Sequence, residues 1–556
     1  MSDRVRWVAG DVPGRWRLLA WAVLFIWLLP GLLGHEPWKP DEAYTFGLVN
    51  HIMRSGDWVV PTLAGEPFME KPPFYFICAA FNARVFHPLL SLPDAARLTS
   101  AWFLLLTYCF VALSARQLYG KGSGLYAVLL LTATLGLVVR AHQLLTDIAM
   151  LSGIAMALYG MVLARQRWLV GGLALGTGAG VAFLSKGVLG PGLIGLGALL
   201  LLAHPAWRTR EYALAMLTGT LAVMPWLLIW PIALYQRSPQ LFDQWFWVNN
   251  IGRFVGSVHL GPPATPGFYP RTLLWAGLPT LPLALFALWR VGWRNALADP
   301  VMFLPLSQFA VMLAVLSLAA DARALYALPM YVPLAVLAVA GLRGMSAKAN
   351  RRISLLANGL FGVLLLLLWV VWLVGVSGVP GVAHDALAVK HPLEALRVSW
   401  SLLLPAILAT GTWLWITLKA PLTAHFSLAL RLAAGLATSW LLVMTLLLPV
   451  IDAEKSYDAM CRGLAKALPA AHGCISSVLL GEPQRALFEY YLGIQTVSRA
   501  PTEIDEHCDL VLVQEHDLAG RRHADFGTLI WRGHRPGDER ESYALYRFSV
   551  ADSASD

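Results

Sequence analysis

Charge is what this chain has least of. Asp, Glu, Lys and Arg make up 13% of its 556 residues, against 57% hydrophobic residues and a mean hydropathy of +0.60. Soluble domains carry about 25% charged residues, so a string of them, the ordinary expectation at this length, is excluded. Repeated apolar runs near twenty residues have instead the length a helix needs to cross a bilayer. No small-residue cleavage site follows the first run, near 17–34, which therefore reads as a retained helix and not a signal peptide. Internal repeats are absent, and ionisable residues cluster between the runs rather than within them. Both features disfavour a transporter or flippase. Cysteines number only five. Cys78 and Cys109 lie in or near apolar runs, where they read as packing residues.

What is present in abundance is the spans themselves. Thirteen are expected, near 17–34, 97–115, 124–139, 147–163, 168–185, 187–203, 211–234, 272–289, 299–320, 324–341, 353–377, 398–417 and 427–450. The fold class expected is thus a polytopic α-helical membrane protein, read as a monomer in the lipid bilayer. Arg4, Arg6, Arg15 and Arg17 precede the first span, and every second loop afterwards is basic: Arg116 and Lys121, Arg165 and Arg167, Arg208 and Arg210, Arg290 and Arg294, then Arg343 to Arg352. Basic loops face the cytoplasm. The net charge of +9 is therefore a topology signal, with no nucleic acid implied. The N-terminus is expected inside. The loop 35–96 and the tail after 451 are expected outside, together with the loops containing Asp147, Arg253 and Asp321.

The outer segment 35–75 holds the densest chemistry. Asp41 and Glu42 stand just beyond the first span, where a carboxylate can serve as general base; the bland alternative is a pair of solvated acids. Glu70 and Lys71 precede Pro72 and Pro73, which stiffen the chain and push Lys71 toward an extended backbone, suited to gripping a phosphate. Asp147 in LLTD is either a functional interfacial acid or a helix N-cap. Lys186 in FLSKG sits between two spans, as a snorkelling or functional cation. Arg253 follows the aromatic run WFWVNN. Asp321, Arg323 and Tyr326 open a later span and either anchor it or serve the site.

The tail, 452–556, has soluble α/β patterning. CISSVLL (474–480) and CDLVLVQ (508–514) read as buried parallel strands with the helix 482–493 between them, and 526–532 with 542–548 reads as a closing pair. Cys461, Cys474 and Cys508 lie here. Cys474 and Cys508 open the two strands and could be joined, leaving Cys461 over; three free buried thiols is the alternative. Two domains are expected: residues 1–451 as the membrane part and 452–556 as an outer α/β domain.

PDEAY, SGDWVVPTLAGEPFMEKPPFY, LLTD, FLSKG, NNIGRF and ALYALPMYVPLAV, in this order over about 35–335, resemble bacterial GT-C glycosyltransferases of the protein-mannosyltransferase-like superfamily, in particular the lipid A aminoarabinose transferases. The resemblance implies a sugar donor linked to a polyprenyl (undecaprenyl) phosphate, used at the periplasmic face of the bacterial inner membrane, with lipid A or another envelope glycan as acceptor and a protein hydroxyl as the alternative. It implies Asp41 and Asp147 as catalytic acids and Lys71, Arg253 and Tyr326 as holders of the donor phosphate. Glu42, Glu70, Lys186 and Arg323 are further candidates. The chain departs from the family in two places. Ala43 stands where an arginine usually follows PDE. Asn249 and Asn250 stand where these transferases carry a glutamate and a histidine, and that histidine joins the EKPP glutamate at zinc. Glu70 alone is too small a ligand set for zinc; His51 and His259 are the histidines of nearby outer loops. No cofactor is firmly implied: catalysis is expected to need no tightly bound zinc, and for any other divalent metal Glu70 is the one matching ligand. If the topology is right, a tag on the C-terminus is labelled by a membrane-impermeant reagent from the periplasmic side. Labelling only after the inner membrane is permeabilised would put the tail in the cytoplasm and contradict an outer site.

Overall fold

The computed structural model describes residues 14–258, 263–499, 508–515, 526–536 and 538–547; Arg4, Arg6 and His259 lie outside them. Among the described residues, nine helices are long and apolar enough to cross a membrane. The count is eleven if each of two bent pairs is one span. The bent pairs are Ser123–Thr132 with Leu135–His142, turning by 63°, and Phe268–Ala276 with Thr280–Val291, turning by 101°. The other two of the thirteen expected spans fall on shorter helices, Gly14–Leu28 and Leu189–Leu201. Exposed Leu, Val, Ile and Trp side chains coat the long helices, as lipid contact requires. The basic loops meet at one end of the bundle: Arg343 donates to the Tyr119 carbonyl (2.9 Å), Arg290 to that of Gly344, and Arg165 lies over Trp207.

The spans Thr146–Leu163 and Trp168–Lys186 form a hairpin joined by a short turn. Their contact face is glycine because the backbones touch: a Cβ on Gly153 would lie 2.5 Å from the Gly178 carbonyl oxygen, and one on Gly178 would lie 2.4 Å from that of Gly153. Helices of 18 and 19 residues, paired from the turn outward, bring the first turn of one level with the last turn of the other. Asp147 and Lys186 thereby become neighbours.

Residues 35–96, expected as a polar loop, contain two helices, Asp41–Ser55 and Phe74–Phe86, and a two-stranded ribbon of β1 (Thr62–Leu63) and β2 (Glu66–Pro67). Asp41 and Glu42 favour the positive end of the first helix, and Gly56, at φ +70°, closes it by donating to the Ile52 carbonyl. Glu42 is not the solvated acid that adjacency to Asp41 suggested. It is 1% exposed and accepts from Arg97 Nε (2.6 Å), Trp38 N (3.1 Å) and Leu144 N (3.2 Å). Arg97, 0% exposed, also donates to Asp94 (2.5 Å) and to the carbonyl of His35 (2.7 Å). Burial alone would raise the Glu42 carboxyl; the Arg97 guanidinium overrides it and holds the carboxyl below its ordinary range.

The tail forms a mixed five-stranded sheet. Its strands are β3 (Ile475–Val478), β4 (Thr496–Arg499), β5 (Leu510–Gln514), β6 (Thr528–Arg535) and β7 (Asp538–Arg547), in the order β4-β3-β5-β7-β6. β3 and β5 are parallel, and β6 and β7 are the antiparallel closing pair. Cys474 and Cys508 are disulfide-bonded, and Cys461 is a free, buried thiol. The sheet's helix, Glu482–Leu492, packs on Asp41–Ser55. Gly47 meets Ala486 so closely that a Cβ there would lie 2.6 Å from the Ala486 Cβ. Arg485 grips Glu66 with both terminal nitrogens (3.0 and 2.9 Å). Lys39 pairs with Glu541, and Tyr491 donates to Glu36 (2.6 Å). The Arg97 pair sets the first test of stability. Arg97→Ala leaves the Glu42 carboxylate buried without its cation, at a cost of about 3–5 kcal/mol, read as a collapse of the melting temperature in detergent. A variant that melts like the parent would show that the pair does not hold this end of the bundle together.

Candidate active site

A cavity of about 970 Å³ lies where these elements meet. Its lining is part charged and part apolar. Asp41 stands at the first residue of its helix, with Tyr44 donating to its Oδ1 (3.2 Å) and the Arg323 guanidinium 3.9 Å away. Lys71 donates to the Tyr44 hydroxyl and lies 4.6 Å from that ring's centroid. Asp41, Tyr44 and Lys71 thus form a continuous hydrogen-bonded series. Burial and the Asp41 carboxylate raise the Tyr44 phenol well above its ordinary range, so it stays a neutral donor. Arg253 reaches the cavity from the end of an unusually wide helical stretch, Gln244–Gly252, and bonds Glu70 at 3.3 Å. Lys186 makes a two-pronged ion pair with Asp147 (2.6 and 2.7 Å) and lies 4.8 Å from the Tyr326 ring centroid. The apolar lining comes from Leu189, Leu193 and Leu196 on one helix and Val315 and Leu316 on another.

Asp41, Glu70, Lys71, Lys186, Arg253, Arg323 and Tyr326 all line this one cavity. Two candidates do not. Glu42 points away, into the Arg97 pair. Asp147, 5% exposed, stands behind Lys186 and fixes its ammonium in place. Lys186 is accordingly an ion-paired wall residue and not a snorkelling one. The cavity also receives two residues that no motif marked as site residues. Arg140 lines it, donating to the Gln143 side chain (3.1 Å). Glu482 enters from the tail domain at the start of the Glu482–Leu492 helix. Desolvation and the nearby Glu70 carboxylate push the Glu482 carboxyl up to about 7, against the pull of Lys71 and Arg485.

Asn249, Asn250 and Glu70 are each engaged by partners of their own. Asn250 is spent on structure: its Oδ1 accepts from Val188 N (3.1 Å) in the space that a Cβ on Gly187 (φ +74°) would fill, and its Nδ2 donates to the Trp245 carbonyl (2.8 Å). Asn249 bonds the Gln244 carbonyl (3.2 Å). His51 does not line the cavity, and Glu70 faces a guanidinium. Among the described residues no three His, Cys, Asp or Glu side chains come together as metal ligands.

The comparisons with known proteins agree with this architecture. The dolichyl-phosphate-mannose-protein mannosyltransferase family matches residues 70–230. Curated relatives named undecaprenyl phosphate-alpha-4-amino-4-deoxy-L-arabinose arabinosyl transferase include one from Serratia proteamaculans, 27% identical over 64% of both chains. Another, from Pseudomonas aeruginosa, is 31% identical over 58% of both. The chain thus spans less than two thirds of the length of these relatives. In structure it is similar to ArnT from Cupriavidus metallidurans, solved bound to undecaprenyl phosphate, with a TM-score of 0.71, 17% identity, and 96% and 98% of the two chains covered.

The raised Glu482 carboxyl has a measurable consequence. Its folded value lies above the ordinary 4.5, so the folded state holds the proton more tightly than the unfolded one. Glu482 is exposed at the cavity rim, where solvent screens its neighbours, so only a shallow fall in stability is expected as pH rises from about 4.5 to about 7, and Glu482→Gln is expected to remove it. Identical melting-temperature profiles for parent and variant would mean that Glu482 ionises normally. By fold and by sequence the chain is a multi-pass GT-C membrane protein resembling the lipid A aminoarabinose transferase.

Proposed function

We propose that the chain is an integral-membrane glycosyltransferase that takes a sugar from undecaprenyl phosphate and passes it, at the periplasmic face of the inner membrane, to lipid A or another envelope acceptor. The observation that carries this reading is the mixed lining of the cavity. A carboxylate and cations line it together with leucines and valine that suit an isoprenoid chain. The names of the curated relatives and the lipid bound in the ArnT crystal point to the same carrier. The membrane part, 1–451, would hold the donor. The domain 452–556 would lie on the periplasmic side and close the cavity with Glu482.

In the step proposed, the acceptor hydroxyl oxygen attacks the anomeric carbon and its proton passes to Asp41. The bond from that carbon to the phosphate oxygen breaks, and undecaprenyl phosphate leaves with the electron pair. Lys71 and Arg253 neutralise the charge that grows on the phosphate, as cations already held at the cavity. Lys186, anchored by Asp147, adds a third positive centre against Tyr326. Glu70 shares Arg253 until the donor phosphate competes for it.

Two kinds of variant separate chemistry from binding. Asp41→Asn is expected to insert and bind carrier normally yet lose about 10²–10⁴-fold of transfer, the usual range for a general base. Lys71→Ala and Arg253→Ala are expected to weaken binding of sugar-free undecaprenyl phosphate as well. Full transfer by Asp41→Asn, or undiminished carrier binding by both cation variants, would remove those residues from the mechanism. A protein that translocates the lipid-linked sugar without forming product would belong to the transporter class instead.

A further inference from the structure

A second, smaller cavity, of about 370 Å³, opens at the other end of the bundle. It lies between the start of the Gly14–Leu28 helix and the corner where Leu92–Tyr119 gives way to Ser123–Thr132. Three cations line it, Arg17, Arg116 and Lys121, and among the described residues no acidic one does. Among the described residues none of the three side chains makes an ion pair or a hydrogen bond. The remaining wall is apolar, with Trp21, 59% exposed, beside Leu113 and Leu125.

This combination selects its ligand. Like charges gathered in one hollow repel one another, and without acidic partners that repulsion is relieved only by an anion. A small inorganic anion would satisfy the cations and leave the apolar wall unused. An amphiphile with an anionic head uses both. The hollow sits where the spans begin, and basic pockets between transmembrane helices are suited to such heads. Trp21 adds an amphipathic ring of the kind that settles at the membrane interface.

We propose that this hollow is a binding site for one anionic phospholipid. Its phosphate would lie among Arg17, Arg116 and Lys121 and its acyl chain along Trp21, Leu113 and Leu125. The lipid would join the first helix to the corner that follows the second span, a junction whose far ends carry the Arg97 pair. The site is distinct from the cavity that contains Asp41, and the inference stands whatever sugar or acceptor is used there.

The test uses the full chain in detergent micelles, with lipid binding followed by native mass spectrometry. Phosphatidylglycerol is titrated against phosphatidylcholine of the same chain length and, separately, inorganic phosphate. The parent protein is expected to retain one phosphatidylglycerol in preference to phosphatidylcholine. Arg116→Gln and Lys121→Gln are each expected to weaken that retention about fivefold, and the double variant about 25-fold. Lipid-free melting temperatures verify that the variants fold, and either single variant serves if the double one does not. Retention of phosphatidylglycerol unchanged in the variants, or equal retention of phosphatidylcholine, overturns the proposal. So does displacement of the lipid by millimolar inorganic phosphate, which would make the hollow an ion site.

Discussion

The ion pair of Glu42 and Arg97 is the constraint on which the rest of this molecule depends. Both side chains are removed from water, and each is satisfied by several partners: Glu42 by a guanidinium and two backbone amides, Arg97 by two carboxylates and a carbonyl. Such a pair contributes little net stability against an apolar alternative, but it tolerates few geometries. It ties together the chain leaving the first span, the start of the Leu92–Tyr119 span and the turn before Asp147. Asp41 is the residue before Glu42, and Asp147 follows Leu144 by three. One buried charge pair therefore fixes Asp41, which lines the cavity, and Asp147, which holds Lys186 in its lining, without touching the cavity itself.

A second cluster performs the same service from the tail. Glu541 accepts from Tyr457 (2.8 Å), Gln484 (2.8 Å) and Arg535 (2.6 Å), and also from Lys39 and Tyr543. Burial alone would raise its carboxyl, yet these donors bring it down to about 2, so it remains an anion at any physiological pH. Lys39 is two residues from Asp41. The sheet therefore holds the loop that presents Asp41, while the helix beside it delivers Glu482 to the cavity rim. The tail is part of the site and not an appendage to the bundle.

Much of this was legible in the sequence, for physical reasons that can be named. Span positions followed from apolar length, and β3, β5 and their helix from short apolar runs broken by polar ones. Lys71, Arg253 and Tyr326 were marked by motif, and all three face the cavity. Glu42 was misjudged because adjacency to Asp41 suggested a shared role, whereas successive residues on a helix point about 100° apart, and here one faces the cavity and the other the core. Asp147 and Lys186 were read separately, since nothing local says that a glycine-faced hairpin will set them side by side. Glu482 carried no signal in the sequence, because its importance arises only when the tail helix docks on Asp41–Ser55. The break of the span after Thr132 was likewise invisible in hydropathy, which records apolar length and not direction.

The central claim is that the charged part of the lining receives the carrier's phosphate while the apolar part receives its isoprenoid chain. An experimental structure of the protein with undecaprenyl phosphate tests this most directly. The account predicts density for the phosphate within hydrogen-bonding distance of Lys71 and Arg253, with Glu70 displaced from Arg253, and the lipid chain running along Leu189, Leu193 and Leu196. A phosphate bound outside this cavity, or a chain lying along any other face of the bundle, would contradict it.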